Sequence, residues 1–231
     1  MLRLISAGLV TLMVAGVVGA PSASAQQQVS FSIGGFSPRS TDARPPDDVL
    51  VNNLDFLAFQ VSDFSGPIFS GDYITALGAH FDAGLGVGYY AHTVPTVYND
   101  FVNANGTEIQ QDLRLRIVPF TASIRWLPLG HHNGVEPYVG GGVGIFNYHY
   151  SEDGQFLATD GSIFNGNFAG SGTSVGPIVL GGIRVPVGSW GVGGELKYQW
   201  AEGTLPADQD FSGSKIDLGG FTYSFTINVR F

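Results

Sequence analysis

The 231-residue sequence contains no cysteine, so no disulfide framework holds its fold together, and export does not require one. Charge is scarce. Only 13% of residues are Asp, Glu, Lys or Arg, two of them lysine (Lys197 and Lys215), and the formal balance is −9. Few cations and an excess of acid argue against nucleic acid as a partner. Beyond the first 25 residues no run of 18 apolar residues occurs, which argues against a further transmembrane helix. Long amphipathic helical patterns are missing too.

What the chain does have is 34 Gly and 17 Phe, spread over short alternating segments between clusters of Gly, Asn, Asp, Ser and Pro. It opens on a basic Arg3, a mostly apolar Leu4–Ala20 and a small-residue site, Ala23-Ser24-Ala25, before polar Gln26. That order reads as a secretory signal peptide over residues 1–25, leaving one domain over 26–231.

Eight strand-like segments follow: Gln28–Phe36, Tyr73–Phe81, Leu85–Thr93, Glu108–Leu127, Pro137–Tyr150, Ser174–Val187, Gly191–Leu205 and a last one from about Ile216. In the last, Phe221, Tyr223, Phe225, Ile227, Val229 and Phe231 alternate with Thr222, Ser224, Thr226, Asn228 and Arg230. A period of two marks a strand with two unlike faces. Connections alternate in length. Asp82–Gly84, Pro128–Glu136 and Pro186–Trp190 read as short turns, whereas strands one, three, five and seven lead into longer loops, the first being Ser37–Asp72. An even strand number, short turns at one end and long loops at the other predict an all-β, eight-stranded antiparallel up-and-down barrel in an outer membrane, apolar outside and polar inside. Both termini would then lie at the periplasmic end, and Trp126, Trp190, Trp200, Tyr198 and Tyr223 are candidates for its aromatic girdles.

The terminal FTYSFTINVRF is similar to the C-terminal signal of outer-membrane barrels, which implies recognition by the barrel assembly machinery. VPFTASIRWLP (Val118–Pro128) followed by PYVGGGVGIF (Pro137–Phe146) resembles the central hairpin of the small eight-stranded OmpA/OmpW-type barrels, and GGELKYQW (Gly193–Trp200) their seventh strand. The resemblance spans the chain after residue 25 and implies a monomer in contact with outer-membrane lipid and lipopolysaccharide. No C-terminal peptidoglycan-binding domain of the OmpA kind is expected. The main rival fold is a soluble periplasmic sandwich or lipocalin-like binding barrel.

Three kinds of chemistry are open. The first is non-catalytic: envelope structure, loop presentation, or sideways passage of small apolar molecules, the last implied by the OmpW resemblance. Inward residues of so narrow a barrel fill it. Glu195 would be an inward carboxylate needing a cation, with Lys197, Arg184 and Arg230 as its expected partners and Arg125 a further lumen residue. Tyr138, Phe146, Tyr148 and Tyr150 of strand five either line an apolar groove or join the girdle, the girdle being preferred. The second is an enzyme. His149 and Ser151, at i and i+2, resemble the His-x-Ser of PagL-type lipid A deacylases. Glu152 points to the other face, though, and Glu152-Asp153-Gly154 stands where that family has Asn-Ala-Gly. The third is cation binding by acidic loops (Asp42, Asp47, Asp48, Asp55, Asp63; Asp208, Asp210), for which solvated loops are the simpler explanation. His131-His132 read as turn residues. No cofactor or resident metal is expected.

Overall fold

The computed structural model describes residues 27–131 and 134–231, so the signal-peptide reading and His132 lie outside the described residues. Eight strands close into an antiparallel ring: β1 (Gln27–Pro38), β2 (Gly66–Ala76), β3 (Phe81–Val102), β4 (Glu108–Trp126), β5 (Glu136–Leu157), β6 (Ile163–Val187), β7 (Trp190–Gln199) and β10 (Gly220–Arg230). The ring shuts where β10 pairs with β1, from Gln28 opposite Arg230 to Pro38 opposite Gly220. Closure leaves no unpaired sheet edge. A small ribbon, β8 (Glu202–Thr204) with β9 (Lys215–Asp217), lies between β7 and β10. A one-turn helix, α1 (Val49–Asn53), sits in the connection after β1.

Several boundaries differ from the sequence reading. Asp82–Gly84 is not a turn but part of β3, paired with β2 (Asp82 opposite Ala76, Gly84 opposite Ile74). The turn is 77–80, where Gly78 supplies a φ of +106° that an L side chain would adopt only under strain. β2 begins at Gly66, which shortens the first loop to 39–65. The loops expected after strands three and five are mostly strand, closed by the tight connections 103–107 and 158–162. β3–β6 therefore rise as two long paired hairpins beyond the shorter β1, β2, β7 and β10.

The apolar face changes sides within single strands. In the half of β4 nearest the short turns, Phe120, Ile124 and Trp126 point out and are exposed while Ser123 and Arg125 are buried. In its other half Ile109, Leu113, Leu115 and Ile117 are buried, and Asp112, Arg114 and Arg116 point out. β5 does the same, from outward Val139, Val143 and Ile145 to inward Phe146, Tyr148 and Tyr150. An apolar exterior thus encircles the lower barrel, and an apolar interior fills the upper barrel.

Candidate functional site: the lumen and its cap

Two layers of charge cross the lower lumen. In the layer nearest the short turns, Glu136 is fully buried. Arg184 Nε donates to its Oε2 at 2.7 Å, and Arg230 Nη2 donates to both carboxylate oxygens at 2.9 and 2.8 Å. Arg184 also reaches Asp82 at 3.2 Å, and His131 Nε2 stands 3.1 Å from the same carboxylate. The second layer gathers Glu195, Asp72, Arg125 and Lys197. Arg125 lies 3.2 Å from Glu195 and 3.5 Å from Asp72, Lys197 lies 3.4 Å from Glu195, and Tyr138 donates its hydroxyl to Glu195 at 3.0 Å. The Arg125 guanidinium also lies over the Tyr138 ring, 5.3 Å from its centre. Gly86 makes the second layer possible, since a Cβ there would run into the Asp72 carboxylate.

Each layer carries two carboxylates and two permanent cations, so neither leaves a net charge in a space where an uncompensated ion is costly. Glu195, Lys197 and Arg125 all point inward and meet. Arg184 and Arg230 point inward too but belong to Glu136, which corrects the pairing expected for Glu195. The sequence reading missed Glu136, Asp82 and Asp72. It placed the first two in turns and the third in a loop, so none was assigned a face. The signal was present: Phe81, Ala83, Leu85, Val87 and Tyr89 keep one unbroken parity, which puts Asp82 inside β3 and on the inner face.

Above the charges the lumen is apolar. Tyr138, Phe146, Tyr148 and Tyr150 all face inward, which overturns the girdle preference for strand five; the outward parity there is Val139, Val143 and Ile145. By contrast Trp126, Trp190, Trp200 and Tyr223 are exposed on the outside. Phe36 meets Tyr90 edge to face at 4.9 Å. The connections 39–65 and 200–219 fold into the mouth above them. Val49, Leu50, Leu57, Val61 and Phe64 come from the first, and Leu205, Ile216 and Leu218 from the second; all are buried.

A polar latch joins these two segments. Asp48 caps α1, accepting from Leu50 N at 3.0 Å and Val51 N at 3.2 Å. The same carboxylate takes both Arg44 Nε and Nη2, at 2.9 and 3.0 Å, and the Asp217 amide at 2.7 Å. Arg39 pairs with Asp217 at 2.7 Å. Asn53 donates to Glu152 at 2.8 Å, tying α1 to the barrel wall. Asp48 is thus fully buried, not the solvated loop acid expected of it. Asp47 lies outside the latch core and accepts from Ser214, whose side chain and amide hold its carboxyl below the ordinary Asp value. Little space remains inside the barrel. A cavity of about 20 Å³ beside Asp72, Lys197 and Gln199 and another of about 10 Å³ beside Asp82, Arg184 and Arg230 each have room for about one water.

The candidate enzyme pair lies on the outside. His149 Nδ1 is 2.7 Å from Ser171 Oγ on β6, its direct cross-strand partner, rather than bonded to Ser151. Arg116 stands opposite His149 on β4 and opposes the imidazolium that general-base catalysis would form. Among the described residues no group of three or more His, Cys, Asp or Glu is placed to hold a metal ion.

No family model matches the chain and no curated protein matches it in sequence. Among solved structures it is similar to Neisserial surface protein A (13% identity, TM-score 0.46, covering 89% of this chain and 97% of that one). It is also similar to the Escherichia coli outer membrane protein W (13%, 0.44, 91% and 100%) and to the N-terminal β-barrel domain of Pseudomonas aeruginosa OprF (12%, 0.42, 90% and 99%). At such identities the likeness is one of fold, and the role of this chain has to come from its own geometry.

Proposed function

We propose that the protein is an integral outer-membrane barrel without catalytic activity, closed along its lumen, that braces the envelope and holds the β3–β6 hairpins above the membrane surface. The observation that carries this reading is the filled cross-section: two neutral charge layers, then an aromatic layer, then an apolar cap latched by Asp48. The membrane assignment is supported by the outward band from Val118 to Trp126. Eight steps of ~3.3 Å, tilted by roughly 40°, rise about 20 Å, close to the roughly 25 Å apolar band of such barrels. Passage of small apolar molecules would require the first connection to leave the mouth, against the latch. Export through cleavage after Ala25 and assembly through the Phe221–Phe231 face belong to the same reading, since Phe221, Tyr223, Phe225, Ile227 and Phe231 lie exposed along the outside, with Val229 half-buried.

Two measurements test it. Outer membranes from a Gram-negative host expressing the chain should yield a protein beginning at Gln26 whose gel mobility shifts on boiling. A soluble periplasmic product with no shift removes the membrane reading. Purified protein in a planar bilayer should stay at the lipid baseline, and steady single-channel steps would remove the closed lumen.

A further inference from the structure

Nine Lys and Arg side chains lie in the described residues, and seven of them are in ion pairs: Arg39, Arg44, Arg125, Arg184, Lys197, Lys215 and Arg230. The two without an anionic partner, Arg114 and Arg116, are successive outward residues of β4, and both are exposed. In a chain with 19 acidic residues against 10 Lys and Arg, such a pairing failure is not for want of carboxylates.

Their height on the barrel is informative. The next outward residues below Arg116 are Val118 and Phe120, in the apolar band. Directly across the strands, Arg116 faces Ala91 and His149, and Arg114 faces Thr93 and Ser151, so no acid stands beside either. The nearest outward acids are Asp112 and Asp153, paired with each other one row above Arg114, and Asn167 already donates to Asp153 at 2.7 Å. Beside the guanidinium groups, across β5 and β6, the wall is hydroxyl and amide. Thr173 donates to Asn147 at 2.7 Å in the row of Val118, His149 bonds Ser171 in the row of Arg116, and a shallow cleft of about 310 Å³ runs past Thr93, Arg114, Ser151 and Asn167 up to Asp112 and Asp153.

From bottom to top this surface is apolar, then cationic with neutral hydrogen-bonding groups beside the cations, then acidic at Asp112 and Asp153. A phosphorylated glycolipid matches the lower two levels, with acyl chains below and phosphate and sugar hydroxyls at the level of the cations and their neutral neighbours. Guanidinium forks match phosphate oxygens two to two, and such contacts strengthen beside a low-dielectric band. We propose that Arg114 and Arg116, with His149, bind the phosphate of an outer-leaflet glycolipid, whose chains lie along Val118 and Phe120. The site is on the exterior and does not depend on whether the lumen conducts.

The test uses the full-length mature protein in phosphatidylcholine nanodiscs, titrated with bis-phosphorylated lipid A and followed by native mass spectrometry and by the His149 ring signals in NMR. Saturable binding with shifted His149 signals is expected, weakened at least about tenfold in an Arg114→Gln/Arg116→Gln variant and partly restored by Arg→Lys at both positions. The same glycolipid without phosphates should bind the native protein at least about tenfold more weakly, a comparison that needs no variant. Equal retention of lipid A by the variant, equal binding of the dephosphorylated glycolipid, or the same NMR shifts from inorganic phosphate alone would each overturn the assignment.

Discussion

At the scale of single residues, the lumen obeys the electrostatics of a confined, poorly hydrated space. Glu195 pairs with both Arg125 and Lys197, so Glu195→Leu should leave two cations facing only Asp72. The expected loss is about 3–5 kcal/mol, as for other broken buried pairs, read as a lower temperature for disappearance of the unboiled gel form. Glu136→Leu should cost at least as much, because Glu136 holds Arg184 and Arg230 by three short contacts and is wholly buried. Tyr138→Phe removes one hydrogen bond to a charged acceptor and should cost about 1.5–3 kcal/mol. If Glu195→Leu melts like the native protein, its layer does not contribute to stability. Glu195 could be read from the sequence because Val192, Leu196 and Tyr198 frame it with unambiguous parity. Glu136 could not, since the turn before it hides its register.

At the scale of elements, the cap depends on one carboxylate with several donors. Asp48→Ala removes the α1 cap and strands Arg44, so the 39–65 segment should become sensitive to limited proteolysis while the barrel keeps its gel shift. Protection equal to the native protein would mean that apolar packing of Leu50, Leu57 and Phe64 suffices. The outer part of the latch adds a pH dependence. Ser214 lowers the Asp47 carboxyl relative to the unfolded chain, so the stability it contributes is complete above the ordinary Asp value of 3.8 and is lost as pH falls through the lower folded value. Proteolysis of 39–65 should be flat from pH 7 to about pH 5 and rise only in stronger acid. Asp47→Asn should remove that rise. The pairing of loops 39–65 and 200–219 was not legible in the sequence, since Asp48 and Asp217 are 169 residues apart and neither carries a local pattern beyond a helix cap.

At the scale of the molecule, lower and upper barrel are sealed by different physics, ion pairs below and apolar packing above, and the two seals should be separable. Replacing residues 40–64 by a short Gly/Ser linker should open the mouth and lower thermal stability while bilayer conductance stays at baseline, because the Glu195 and Glu136 layers remain. Conductance in that variant would show that the cap alone closes the lumen. The same division sets the exterior. Where the lumen is charged the outside is apolar, and where the mouth is apolar the outside is polar and carries Arg114 and Arg116.

The sequence by itself determined the eight strands, their antiparallel order and the outward face of most of them, because local alternation encodes which side of a strand meets an apolar phase. It also determined that Glu195, Lys197 and Arg125 face inward. Only the tertiary structure decided their partners, the inward turn of the strand-five tyrosines and the capture of Asp48 by the opposite loop. Those outcomes depend on inter-strand register and ring closure, which bring together groups far apart in the chain. A two-residue alternation carries no information about which residue of another strand lies opposite.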